Sequence, residues 1–189
     1  MTALAQGPGV ASDGDDPGGK SRRGARYDEV VANHAAALAR LARAYEADSE
    51  RCRDLQQEIH AALWESLAGF DGRCSLRTWV YRVAHNVACS HVMHAQRRRA
   101  ATLVSLDELD ALPADPDHEA STDRRIALER LFALIQRLNP LDRQVILLYL
   151  EGVDSGAVAE ITGLSVANVN TKVHRIKKIL ASRFSEGGT

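Results

Sequence analysis

The stretch Gly163–Leu180, "GLSVANVNTKVHRIKKIL", decides how the rest of the chain is read. At 100° per residue Val169, Val173, Ile176 and Leu180 fall within about 40° of one another, which predicts a helix with one apolar stripe. The other face carries Ala167, Asn168, Asn170, Thr171, Lys172, His174, Arg175 and Lys178. Small and hydrogen-bonding residues come first and cations later. A helix entering the major groove needs that order, because its first turns approach base edges while later cations meet phosphates. Upstream, "DSGAVAEITG" offers a short helix ending on Gly163, with Val158 and Ile161 able to meet the stripe and Ser165 able to cap the second helix. Helix, Gly-containing turn, helix is the helix-turn-helix pattern.

Working back towards the N-terminus, "LDRQVILLYLEG" predicts a helix stopping at Gly152, and "RRIALERLFALIQRL" one that stops before Pro140. These segments form a helical module over 124–185. Ahead of it, Ala100 to Asp123 contains no Lys or Arg but seven acidic residues, together with Pro113 and Pro116. That composition predicts a flexible acidic linker, 101–123, joining two modules.

The first module, 26–100, shows three helical patterns. Val31, His34, Ala35, Leu38, Leu41, Ala42 and Tyr45 recur at spacings of three and four, and Asp48 or Ser49 then offers a break and a cap. Leu55, Ile59, Ala62, Leu63 and Leu67 share a face of the second helix. "FDGRCS" follows as a loop, with Gly72 for the turn and Ser75 as N-cap. The third pattern, "LRTWVYRVAHNVACSHVMHAQRRR", places Leu76, Val80, Val83 and Val87 on a stripe, with Trp79 near enough to be structural. Residues 1–25, rich in Gly, Asp and Ser, are expected to be a disordered tail.

The fold expected is therefore all-α, two small helical domains joined by the linker. Hydrophobic residues at 45% suffice for packed cores, and aromatics at 5% with abundant Ala and Leu favour helices over sheet. No apolar run approaches the roughly 20 residues of a membrane span and no signal peptide opens the chain, so a cytoplasmic protein without membrane contact is expected. Cys52, Cys74 and Cys89 lack paired spacing, which favours free thiols. His85, Cys89, His91 and His94 invite a zinc reading, but His85 and Cys89 project away from His94 on the wheel, so neither metal nor cofactor is expected. No phosphate loop or nucleophile motif appears, so the chain reads as a non-enzyme.

With "DLQQEIHAALW" (54–64) and "FDGRCSLRTWVYRVAHNVACSHVMHAQRRR" (70–99), the chain resembles region 2 of bacterial RNA polymerase sigma factors of the extracytoplasmic-function (ECF) group. "LNPLDRQVILLYLEGVDSGAVAEITGLSVANVNTKVHRIKKIL" (138–180) is similar to region 4 of the same group. The resemblance implies a non-enzymatic initiation subunit whose partners are core RNA polymerase, through the clamp of the largest subunit and the flap of the second, and promoter DNA. An anti-sigma protein is a further partner it leaves open. It assigns polymerase docking to Asp54, Leu55, Gln57, Glu58 and Trp64. The minus-ten element falls to Phe70, Asp71, Gly72 and Arg73, to Arg77, Tyr81, Arg82, His85 and Asn86 on the exposed face of the third helix, and to Arg97, Arg98 and Arg99 at its end. The minus-thirty-five element falls to Asn168, Asn170, Thr171, Lys172, His174, Arg175 and Lys178, with Lys172 standing where the family often has Arg. The alternative reading is a stand-alone helix-turn-helix regulator that binds duplex DNA without polymerase.

Overall fold

The computed structural model describes residues 17–98 and 124–185, and these are helical throughout apart from turns and loops. The first block holds α1 (Pro17–Tyr45), α2 (Ser49–Ser66), a 3-10 turn (Leu67–Gly69) and α3 (Leu76–Arg98). The second holds α4 (Arg124–Arg137), α5 (Pro140–Leu150), α6 (Ser155–Thr162) and α7 (Val166–Ser185). The acidic linker lies outside the described residues.

Local chemistry sets the helix boundaries. Asp48 Oδ1 accepts from the amides of Glu50 and Arg51, both at 3.0 Å, so α2 starts on a charged cap that also suits the helix dipole. Ser75 Oγ accepts from the amide of Thr78 at 3.0 Å to open α3. Asn139 Oδ1 accepts from Asp142 N at 3.0 Å, and Pro140 takes the first position of α5, where its missing N–H costs nothing. Asp154 caps α6, Gly163 ends it in the left-handed region at φ 74°, and Ser165 Oγ caps α7 through the amide of Asn168 at 3.2 Å.

The start of α1 departs from the sequence reading. The helix opens at Pro17 rather than near Tyr27, so 17–25 are not a disordered tail. Proline pre-sets the helical φ at the first position, and Arg23 and Arg26 find aromatic partners on α2 and the following loop, which composition alone cannot reveal.

In the first block Leu38, Leu41 and Ala42 of α1 pack with Leu55, Ile59 and Leu63 of α2 and with Val80, Ala84 and Ala88 of α3. In the second, Val145, Ile146 and Leu148 of α5 close over Val158 and Ile161 of α6 and Val169, Ile176 and Leu180 of α7. At about 1.5–3 kcal/mol per fully buried aliphatic side chain, these two sets dominate stability.

The two blocks are not separate. Their buried side chains form one continuous core, with α4 against α1 and with α5 and α6 against α3. Arg143 of α5 is 2% exposed and lays its guanidinium 5.1 Å from the centre of the Tyr45 ring. It also donates to the carbonyls of Gln136 and Leu138, closing the end of α4. At the rim, Arg40 makes two 2.7 Å bonds to the Glu151 carboxylate and Gln136 Nε2 donates to the Arg43 carbonyl at 2.7 Å.

Candidate nucleic-acid interface

The helix-turn-helix forms from α6, the Gly163 turn and α7. Val158 and Ile161 bury against Val169 and Ile176, which turns Ala167, Asn168, Asn170, Thr171, His174, Arg175 and Lys178 outward. Asn170 Oδ1 accepts from Ser155 Oγ at 2.7 Å, fixing its amide, and Thr171 Oγ1 donates back to the Ala167 carbonyl at 3.0 Å. The outward face is thus polar, partly pre-ordered, and basic towards its C-terminal half.

Lys172 does not belong to that face. Its Nζ lies 2.6 Å from Oδ1 of Asp142, a carboxylate almost wholly buried in α5, which also accepts from Asn139 Nδ2 at 2.6 Å. A buried carboxylate without a counter-charge is costly, so Lys172 pins α7 to α5 in the free chain. The clue in the sequence was the acid at Asp142, in the first turn of a helix whose later residues are apolar.

On the other proposed DNA surface, the loop after the 3-10 turn keeps itself short-ranged. Asp71 accepts from the Arg73 amide at 3.1 Å and pairs with its guanidinium at 2.9 Å, and Gly72 turns the chain at φ 80°. Phe70 is half-buried, edge-on to Trp79 at 5.4 Å. Trp79 donates its indole N–H to Ser66 Oγ at 3.1 Å, in keeping with a structural role.

Two residues expected on the exposed face of α3 are buried. Tyr81 is 2% exposed and His85 0%, because the second block covers the side of α3 that the first leaves open. The buried line is Val80, Ala84, Ala88 and Val92, while Leu76, Val83 and Val87 are only partly covered. His85 Nδ1 meets Tyr45 Oη at 3.1 Å, and its Nε2 is buried without a partner. Desolvation alone pulls its pKa down to about 3, so the ring is neutral. Tyr81 is raised above the ordinary tyrosine range, first by burial and then by the nearby Glu151 carboxylate.

Arg77 and Arg82 are engaged by the second block. Arg77 donates to the Glu151 carbonyl, and Arg82 pairs with Glu160 of α6 at 2.5 Å. Neither Glu151 nor Glu160 was foreseen, since nothing in sequence spacing places them beside α3. Asn86 stays exposed. Arg97 and Arg98 close α3, with side chains outside the description, and Arg99 lies outside the described residues.

Of the docking set, Asp54, Gln57 and Glu58 are exposed and Trp64 is 38% exposed, whereas Leu55 is fully buried and belongs to the core. An open cleft of about 660 Å³ between α2 and α3 gathers Asp54 and Glu58 with Asn86, Arg51, Ser90, His91 and His94, so the two docking acids and Asn86 share one surface. His91 bridges that cleft, 3.4 Å from Glu46 and 3.6 Å from Glu58. Among the described residues no three His, Cys, Asp or Glu side chains gather as a metal site, and no helix is long and apolar enough to cross a membrane.

Comparison with known proteins gives this arrangement its class. Residues 30–98 match the family Sigma-70 region 2, and residues 128–180 match Sigma-70, region 4. The chain is 26% identical over 164 residues to the RNA polymerase sigma factor CnrH of Cupriavidus metallidurans, covering 82% of this chain and 85% of that one. It is 31% identical over 150 residues to the ECF RNA polymerase sigma factor SigG of Mycobacterium tuberculosis, covering 67% of this chain but 40% of that longer one. The fold is that of CnrH in complex with the cytosolic domain of CnrY (TM-score 0.63, 24% identity, 89% of this chain and 94% of that one). It is likewise that of RpoE in complex with the anti-sigma factor NepR from Bartonella quintana (TM-score 0.64, 17% identity, 84% and 96%).

The chain belongs to the sigma-70 family of RNA polymerase sigma factors, in its ECF group. It is a sigma factor that acts with core RNA polymerase in promoter-directed initiation, not a stand-alone regulator.

Proposed function

We propose that this sigma factor reads the minus-thirty-five element with the outward face of α7 and the minus-ten element with the loop 70–73 and the exposed flank of α3. On α7 the readers are Asn168, Asn170, Thr171, His174, Arg175 and Lys178, with Arg175 suited to guanine or phosphate. On the first block Asn86 and the loop meet the unpaired strand, and Arg77 and Arg82 reach backbone once Glu151 and Glu160 release them. Asp54, Gln57, Glu58 and Trp64 dock on the polymerase clamp, and the second block reaches the flap. The protein works in the cytoplasm, has no catalysis of its own, and takes an anti-sigma partner, as RpoE does in its complex with NepR.

The observation that carries this reading is the pairing, in one chain, of a helix-turn-helix with an exposed polar face and a region 2 cleft that joins the docking acids to Asn86. Because α5 and α6 lie on α3, Arg77 and Arg82 are released to the minus-ten strand only when the two blocks part. Each exposed ion pair at the seam contributes about 0.2–1 kcal/mol and the shared apolar core adds more, and a nanomolar docking of roughly 12 kcal/mol works against both. Docking on polymerase can therefore separate them.

Start sites mapped in cells overproducing the chain supply the promoter for run-off transcription with core polymerase. Arg175→Ala is expected to lower transcription from promoters that depend on the minus-thirty-five element about tenfold, and Asn86→Ala to slow opening by a similar factor. Normal transcription by both variants overturns the residue assignments.

A further inference from the structure

Residues 17–29 of α1 precede the part of the chain that matches region 2, which starts at residue 30. Three of their side chains nevertheless reach the two aromatic residues that bracket the 3-10 turn. Arg23, Arg26 and Tyr27, spaced at three and four, share one face of the helix. The Arg23 guanidinium sits 4.8 Å from the centre of the Trp64 ring, and Tyr27 meets the same ring edge-on at 5.4 Å while its hydroxyl bonds His60 Nδ1 at 3.0 Å. The Arg26 guanidinium lies 5.3 Å from the centre of the Phe70 ring and donates to the Phe70 carbonyl at 3.4 Å. Phe70 is thus gripped at both its ring and its backbone. It passes that constraint to Trp79, edge-on at 5.4 Å, whose indole is tied to the end of α2.

We propose that Arg26 is a positioning residue that holds Phe70 so that the loop 70–73 meets the minus-ten element already shaped. The inference rests on the reading of that loop as a DNA contact. Beyond Phe70 the loop's bonds are local, between Asp71 and Arg73, so its direction of departure is set at Phe70. A loop ordered beforehand does not spend DNA-binding energy on its own ordering. The effect therefore falls on promoter opening and not on polymerase affinity.

The test uses the full chain with core polymerase, reading opening by permanganate reactivity of unpaired thymines and, separately, core affinity. Arg26→Ala is expected to slow opening about fivefold while core affinity stays within about twofold. Arg26→Lys, which keeps a cation over the ring and a donor for the carbonyl, restores most of the rate. In a Trp64→Phe background Trp79 is the sole tryptophan, and Arg26→Ala makes its emission more readily quenched by acrylamide. Phe70→Ala separates the two levels of inference. If Phe70→Ala is slow and Arg26→Ala is normal, the positioning role is overturned and the loop reading stands. If Phe70→Ala opens normally, both fall. Loss of core affinity and opening in equal proportion, or an Arg26→Lys variant as slow as Arg26→Ala, overturns the positioning role as well.

Discussion

Helices α3 and α7 were both expected to bury one stripe and leave the other face exposed, and only α7 does so. Its apolar residues meet α5 and α6 on one side, and Asn168, Asn170, Thr171, His174 and Lys178 on the other remain exposed. On α3, α1 and α2 take one side and α5 and α6 take another, so Tyr81 and His85 disappear into the seam. Periodicity in a sequence reports one-sided burial well, because a single set of neighbours leaves a single stripe. When a second block covers the opposite side with polar residues at the contact, the stripe broadens and a hydrogen-bonded histidine is indistinguishable from a surface one.

The largest expected effect breaks the apparent simplicity of α7. Lys172→Ala leaves the Asp142 carboxylate buried without its counter-charge, and chemical denaturation is expected to register a loss of about 2 kcal/mol. Lys178→Ala, six residues further along the exposed face, is expected to change stability by less than about 0.5 kcal/mol while weakening promoter binding. Equal stability of the two variants would return Lys172 to the DNA-contacting set.

A second effect of similar size sharpens the account of α3. In the unfolded chain His85 takes a proton below its ordinary value of 6.5, but in the folded chain it refuses one until about pH 3. The unfolded state therefore binds more protons across that window, and stability falls as pH falls through it. From pH 7 to pH 5 this one group should cost about 2 kcal/mol, at about 1.4 kcal/mol per pH unit once well below 6.5. His85→Leu is expected to flatten that part of the stability profile measured by denaturation at a series of pH values. An unchanged slope would mean that His85 is solvated and that α3 is not covered.

The pattern of what could be read follows from these contrasts. Caps at Asp48, Ser75 and Ser165 were legible because a side chain and an amide three residues away decide them. The helix-turn-helix and the structural role of Trp79 were legible for the same local reason. Leu55 was read as a docking residue because the resemblance marks the motif, yet packing claims it for the core. The reach of α1 back to Pro17, the Lys172–Asp142 pair and the Arg82–Glu160 pair depend on partners far along the chain, which no local pattern encodes.

In the proposed cycle α3 is covered by the second block in the free chain and uncovered for transcription. Arg40 and Glu151 lie at the seam and in neither proposed DNA set, so Arg40→Cys with Glu151→Cys, in a chain whose three native cysteines are replaced, can be bridged by a short bis-maleimide. High-yield bridging within the free chain is expected, with loss of run-off transcription by the bridged product while singly substituted, maleimide-treated controls stay active. Failure to bridge, or normal transcription by the bridged chain, would contradict it.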